Sequence, residues 1–383
     1  MKRLLAVLLA VCFVATLFVG CGSQEPAKQA DVQKEEPKKE EPKKEEAKKE
    51  EPKKEAPKTM SATEATQQAR ALAEKVTSGG AGEFSGDPVI ACVMPSLDHE
   101  GWLGMLTGTV LGATKLGAGM QVYSANNDVQ KQMSIIEDLI VKKVKGIIFV
   151  PVDSTALSAA VEKCNAANIP IVALDRSTTG GKVTALVTSD NTACGTEAAK
   201  ELAKLANGKE LKVFNLQGDL ATSAGLERNN GFKEELKKYP NIKIVAEIAG
   251  NWQPEKGNSA TLDAFQANPD INAIYLPSEL YAQGVTSALE QLKKLKPVGD
   301  KDHIIIVGID GQPIGHEQIR KDIQDVSVAQ QLFVMGTTAM DALVKSVKGE
   351  KVEKDNVLIP PVVVTKANVD DENHWGVQFA TKK

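Results

Sequence analysis

The chain has 383 residues, 42% hydrophobic and 25% charged, with a formal net charge of -4. That length can hold two domains with sizeable cores. The near-neutral balance argues against nucleic acid as the main partner, because neutralising phosphates takes a basic field or stripe. Aromatic residues make up only 4%, so a tryptophan beside a loop is a candidate ligand contact, with core packing as the ordinary alternative.

Lys2 and Arg3 start a leader whose apolar run, residues 4–19, leads directly into Gly20-Cys21. A small residue before a cysteine at the end of such a run resembles a bacterial lipobox, although Phe18 stands where leucine is usual. Residues 1–20 are read as a lipoprotein signal peptide and Cys21 as the lipidated residue, which places the protein outside the cytoplasm on the outer face of the cell membrane. Residues 21–60 then form a tether. Their Glu-Glu-Pro-Lys-Lys repeat carries Pro37, Pro42, Pro52 and Pro57, which forbids a continuous helix and leaves nothing to bury. As a coil the tether reaches on the order of 30 Å. Membrane contact is expected through the lipid anchor alone.

Ser61-Ala62-Thr63-Glu64 has the form of a capping box, so a short helix over residues 61–76 is expected, ended by Gly79-Gly80 and followed by a linker to residue 87. Apolar strands are then expected at 89–94, 120–124, 146–150, 169–174 and 185–188, alternating with helices at 103–116, 129–143 and 155–167. Gly117 should end the first of these helices. This alternation implies a parallel sheet with right-handed crossovers. The run at 169–174 breaks off in Asp175-Arg176, at the carboxyl end of its strand, where open α/β sheets bind ligands. An ordinary surface ion pair is the alternative reading.

The pattern restarts with strands at 212–216, 242–248, 273–276 and 304–307 and helices at 223–238, 254–267 and 282–293. A strand at 326–329, a helix at 333–348 and a strand at 362–364 complete it. The fold class is α/β, with two similar doubly wound parallel-sheet lobes. Asp310 ends an apolar strand in the second series as Asp175 does in the first. Cys92, Cys164 and Cys194 fit no zinc or CxxC spacing and read as buried small hydrophobes. His303, His316 and His374 have no partners at metal-ligand spacing and read as surface residues. There is no GxxxxGK[ST] loop, G-x-S-x-G elbow or strict GxGxxG after a strand, so no catalytic residue, metal or cofactor is expected.

Five motifs in order, Ala173-Leu174-Asp175-Arg176, Ser189-Asp190-Asn191, Thr222-Ser223-Ala224 with Glu227-Arg228 and Gly231-Phe232, Val307-Gly308-Ile309-Asp310-Gly311, and Val328-Ala329-Gln330, resemble the ribose- and galactose-type periplasmic binding proteins. The resemblance spans residues 88–366. It implies the type I fold of that family, with lobes joined by a three-strand hinge and chain crossings near Asp190, Gln330 and Pro360. Residues 88–190 with 331–360 would form the N-terminal lobe and 191–330 with 361–375 the C-terminal lobe, leaving 376–383 as a tail. It also implies sugar contacts at His99, Gly101, Trp102, Asp175, Arg176, Arg228, Trp252, Ser278, Asp310 and Gln330. Planar bidentate groups suit neighbouring hydroxyls, and the two tryptophans would offer flat faces to ring C–H surfaces. Core packing for Trp102, and a solvent or neighbouring partner for Arg228, are the alternatives. The sequence departs from the family at His99, Gly101, Val150 and Ser278, which implies a larger pocket with fewer amide contacts.

The function implied is capture of a monosaccharide by a monomer and its delivery to an ABC import permease. The alternative is a receptor for a sugar or an autoinducer-2-type signal, feeding a chemoreceptor or sensor kinase. A LacI-type regulator fits less well, since the leader and tether stand where a helix-turn-helix would be, and an enzyme lacks any visible nucleophile. Asp175→Ala or Asp310→Ala is expected to weaken binding and leave the fold intact.

Overall fold

The computed structural model describes residues 59–379. The expected signal peptide, Cys21 and nearly all of the tether lie outside the described residues. Among those described, no helix is long and apolar enough to cross a membrane.

Helix α1 (Ala62–Thr77) opens on the expected capping box: the Ser61 hydroxyl accepts from the Glu64 N–H at 3.2 Å, and the Glu64 carboxylate accepts from the Ser61 N–H at 2.8 Å. Then come β1 (Gly82–Phe84), β2 (Val89–Met94), α2 (Glu100–Leu116), β3 (Gly119–Ser124), α3 (Val129–Val141), β4 (Ile147–Phe149), α4 (Ser158–Ala166), β5 (Ile171–Leu174) and β6 (Ala185–Ser189). The second series runs α5 (Asn191–Ala206), β7 (Leu211–Gln217), α6 (Ser223–Leu236), β8 (Ile242–Ala249), α7 (Lys256–Ala267), β9 (Ala273–Leu276), α8 (Ala282–Gln291), β10 (Ile305–Asp310), α9 (Pro313–Arg320) and β11 (Val326–Ala329). It closes with α10 (Leu332–Val347), β12 (Asn356–Ile359), β13 (Val362–Val364) and α11 (Trp375–Phe379).

Two sheets result. The first has the order β1-β3-β2-β4-β5-β6-β12 and the second β13-β11-β10-β9-β7-β8. Pairing is parallel except at one edge of each, where β1 and β13 run antiparallel. Each sheet is covered on both faces: the first by α1, α2 and α10 on one side and α3 and α4 on the other, the second by α5 and α6 and by α7 and α8. That is why β4, β5 and β9 are buried at every residue, as continuous apolar strands between two helical layers must be.

The chain passes between the sheets three times, after β6, after β11 and between β12 and β13. These crossings are bonded to one another. The Asp190 N–H donates to Ile359 O at 2.9 Å, the Ser189 hydroxyl to Gln330 Oε1 at 2.7 Å, and Gln331 Nε2 to Pro360 O at 2.8 Å. The hinge is therefore a small three-stranded ribbon.

Several elements differ from the sequence reading. Residues 61–87 are no separate helix and linker: α1 packs its alanines and Leu72 into the first lobe's core, and β1 extends that sheet. Strand β12 and helices α5 and α9 were not expected. Residues 376–379, at the start of the expected tail, belong to α11, with Phe379 buried in the same core. Gly117 ends α2 in the left-handed region at φ 70°, and Cys92, Cys164 and Cys194 are free and buried, both as expected. The histidines are a correction. His316 is fully buried, His303 bonds Asp325 at 2.9 Å with a side chain only 8% exposed, and His374 packs against His316 with ring centroids 5.7 Å apart.

Candidate functional site

The carboxyl ends of the two sheets bring together most of the residues singled out from the sequence. On the first lobe, β2 leads to His99, which caps α2 by accepting the Gly101 N–H at Nδ1 (3.1 Å). Trp102, in the first turn of α2, is half-buried and lies 5.8 Å from the His99 ring. The Arg176 guanidinium lies over Trp102 at 5.2 Å from the ring centroid, a cation–π contact. The core alternative for Trp102 is partly realised: the ring packs against the first lobe's core and also meets Arg176.

Asp175 follows β5 at φ 68°, a turn that swings its side chain off the strand axis. Its nearest ion partner is Arg176 Nε at 3.4 Å, and its side chain keeps 20% of its exposure. Burial pushes the Asp175 carboxyl above the usual carboxylate range, Arg176 and Arg228 pull it down, and Asp310 pushes it up again. Arg228 and Asp310 belong to the other lobe, so charges at the two sheet ends act on one another.

On the second lobe the arrangement is tighter. Arg228, on α6, is 5% exposed, and Asp310, at the end of β10, 6%. Of the alternatives for Arg228, a solvent partner is ruled out: its NH1 donates to Asp310 Oδ1 and to Pro277 O, each at 2.8 Å, and its Nε to Asn191 Oδ1 at 2.9 Å. Burial works against the guanidinium's charge, and Asp310 restores it, so Arg228 is held more firmly protonated than usual. Gln330 Nε2 also donates to Asp310 Oδ1 at 2.8 Å, while Ser278 Oγ and Gln312 Nε2 (3.0 Å) donate to Oδ2. A carboxylate has about four acceptor positions, and all four are filled.

The matching positions of Asp175 and Asp310 therefore conceal a chemical difference. Asp175 is an acceptor with open positions, whereas Asp310 is a buried hub that aims Arg228, Ser278, Gln312 and Gln330. A ligand hydroxyl can bond Asp175 directly; on the second lobe it must displace a donor from Asp310 or use the donors around it.

Trp252 stands apart from this hub. It sits at φ 56° after β8, its indole N–H donates to Thr222 Oγ1 at 3.1 Å, and its backbone N–H donates to the Tyr281 hydroxyl at 2.8 Å. Its ring edge packs on Gly218 and the second lobe's core.

Sequence reasoning missed Asn191, Gln312, Glu279 and Trp375. Asn191 lies inside one of the five motifs, so that signal was available; the others lie outside any motif. Glu279 is buried beneath the hub, accepting the Gln312 N–H at 2.6 Å and Gln324 Nε2 at 2.7 Å. Burial pushes its carboxyl up to about 8, against the hydrogen bonds of Ser327, Gln324 and Gln312. The Asp310 carboxylate nearby pushes it the same way, so this position favours the neutral form. A separate cavity of about 200 Å³ adjoins the hinge, lined by Gln330, Gln331, Phe333, Val362, His374 and Trp375 among others, and shares only Gln330 with the expected contacts. Among the described residues no group of three or more His, Cys, Asp or Glu is placed to hold a metal ion.

A profile for the periplasmic binding protein domain matches residues 90–351. The ribose import binding protein of Escherichia coli is 32% identical over 264 residues, covering 69% of this chain and 86% of that protein. The D-allose-binding periplasmic protein of the same species is 30% identical over 271 residues, 68% of this chain and 85% of its own length. Among solved structures, an ABC transporter periplasmic solute binding protein from Actinobacillus succinogenes with bound D-allose matches at TM-score 0.66 and 28% identity, covering 74% of this chain and 100% of that one. A Bacillus halodurans ABC transporter solute binding protein with bound myo-inositol matches at TM-score 0.65 and 27% identity, over 77% and 99%. These relatives are substrate-binding proteins and not enzymes. With its two wound lobes, its three bonded crossings and these matches, the chain belongs to the ribose- and galactose-type periplasmic binding proteins.

Proposed function

We propose that this chain is an extracytoplasmic solute-binding lipoprotein that captures a monosaccharide or similar polyol between its lobes and delivers it, as a monomer, to an ABC import permease. The observation that carries the reading is the pairing of an open carboxylate, Asp175, with a preset array of donors around Arg228 and Asp310 on the facing lobe. Vicinal hydroxyls both donate and accept, so a polyol can satisfy the two sides at once. Ribose, allose, myo-inositol and xylitol are named for relatives of this chain, which supports the class.

In this reading His99, Trp102, Asp175 and Arg176 contact the ligand from one lobe and Arg228, Trp252, Ser278, Asp310 and Gln330 from the other. Residues 62–190 with 331–360 and α11, and 191–330 with 361–370, turn as two bodies about the crossings. Ligand bonded to one lobe supplies contacts that the other lobe lacks when open, so the closed state gains by the difference in affinity. Lipidation at Cys21 and the Glu/Lys/Pro tether keep the lobes near the membrane within reach of a permease.

A thermal-shift screen of D-ribose, D-allose, myo-inositol, xylitol and nucleosides tests the ligand class, since binding to the folded state raises the melting temperature by mass action. A rise with at least one sugar or polyol is expected. A rise with nucleosides alone, or with none, would contradict the reading.

A further inference from the structure

Asp310 carries φ 119°, a backbone region that residues with side chains rarely adopt and that surrounding structure must impose. Two donors hold the Asp310 carbonyl: the Gln330 N–H at 3.1 Å and the indole N–H of Trp375 at 3.0 Å. The carbonyl's acceptor positions are thereby filled, and the peptide plane that aims the Asp310 carboxylate is fixed. Gly311 next to it is at φ 74°, and a Cβ there would lie 2.4 Å from the Ala329 Cβ, so neither residue can relax independently of the hinge.

Trp375 comes from an unexpected direction. It is 4% exposed and its ring packs in the first lobe's core with Leu332 and against Gly104 of α2, while its bond, and the close packing of Gly376 on Gly311 and His316, are to the second lobe. The segment that carries it is pinned at both ends. Lys366 donates to Arg320 O at 2.6 Å and pairs with Asp322 at 2.8 Å, and Arg320 pairs with Asp370 at 2.7 Å, which ties residues 366–370 to the end of α9. Beyond Trp375, the Phe379 ring lies under Arg70 at 4.9 Å and Gln378 accepts from Thr63 at 3.0 Å, which ties α11 to α1. The segment is a fourth connection between the lobes, in addition to the hinge, and it lies outside the region matched by the family profile.

We infer that Trp375 is a positioning residue for ligand binding: its indole N–H, held by the first lobe, fixes the strained Asp310 backbone and so presets the donors that the second lobe offers to the ligand. The inference rests on the proposed ligand site. It gives the C-terminal helix a role in affinity beyond its share in the core.

The test separates the N–H from the packing. Trp375 is replaced in the full chain by its sulfur isostere, β-(3-benzothienyl)alanine, which keeps the shape and removes the donor. Phe379→Leu, in the same helix and core without a bond to Asp310, is the packing control, and Asp310→Asn tests the site itself. Affinities for D-ribose, D-allose, myo-inositol and xylitol are measured by calorimetry beside thermal stability. The expected result is an affinity at least tenfold weaker in the isostere, at a stability loss no greater than that of Phe379→Leu, whose affinity stays within about twofold of wild type. An isostere with wild-type affinity, or a Phe379→Leu protein that loses as much, overturns the inference while Asp310→Asn still binds weakly. Undiminished affinity in Asp310→Asn, or no binding of any of the four to wild type, overturns the site reading and the inference together.

Discussion

Asp175 and Asp310 look equivalent in the sequence and are not equivalent in the molecule. Each closes an apolar strand, and each has a positive φ, but only Asp310 has a buried guanidinium as its partner. The expectation that either aspartate can be removed with the fold intact is therefore revised. Asp310→Ala leaves Arg228 buried and unpaired, and should cost about 3–5 kcal/mol of stability, read as a lowered denaturant midpoint. Asp175→Asn keeps a residue type that tolerates positive φ and gives up a half-exposed pair with Arg176. It should change stability by less than about 1 kcal/mol while weakening polyol binding by about 2 kcal/mol, roughly thirtyfold. Glu279 yields a pH prediction. Its folded carboxyl titrates at about 8, above its ordinary value of 4.5, so the folded state binds the extra proton between those values. The stability it contributes is full below 4.5 and is lost as pH rises through about 8. Glu279→Gln should flatten that alkaline fall in a pH series of denaturant midpoints; an equal fall in the variant would show another group to be responsible. The sequence made the strand-end acids and Arg228 legible because each sits beside an apolar run or in a motif. Glu279, Gln312 and Trp375 carry no such signal, since their roles arise from residues brought beside them by the fold.

Helices and strands were legible where their patterns were long. The β-α alternation from residue 89 onward comes from continuous apolar strands, and α1 from its capping box. Strands β1 and β12 were not legible, because Gly82–Phe84 is too short to show a period and Asn356–Ile359 is an edge strand with exposed positions. Helix α5 was missed for a different reason: it is rich in alanine and has small residues where a bulky apolar stripe is usual. The structure gives the cause, which is a close crossing with α6. A Cβ on Gly195 would lie 2.0 Å from the Arg228 carbonyl oxygen and 2.7 Å from the Phe232 N, so the two backbones touch there. Phe232 in turn stacks on Tyr275 of β9 at 3.8 Å, which anchors α6 on the sheet. Gly195→Ala should push α6 away from α5, cost about 1–3 kcal/mol, and displace Arg228 from Asp310. Ligand affinity should fall with it. A Gly195→Ala protein with unchanged stability and affinity would mean that the crossing can spread without moving the site.

At the scale of the whole molecule, two similar halves were expected from the repeated alternation. The way each half is assembled from separated segments was not readable from local pattern and came only with the family resemblance. A sheet order such as β6-β12 joins residues 185–189 to 356–359, and nothing near either strand announces the other. The same holds for the C-terminal segment, which reaches back to α1 and to Asp310. The end of β10, the bonded crossings and the outer segment thus meet at Asp310. The most direct measurement is a crystal structure of the chain with the tightest-binding polyol from the thermal screen. Ligand oxygens are expected within hydrogen-bond distance of Asp175 on one side and of Arg228, Gln330 or Ser278 on the other. A ligand held by one lobe alone, or seated in the cavity beside the hinge, would contradict it.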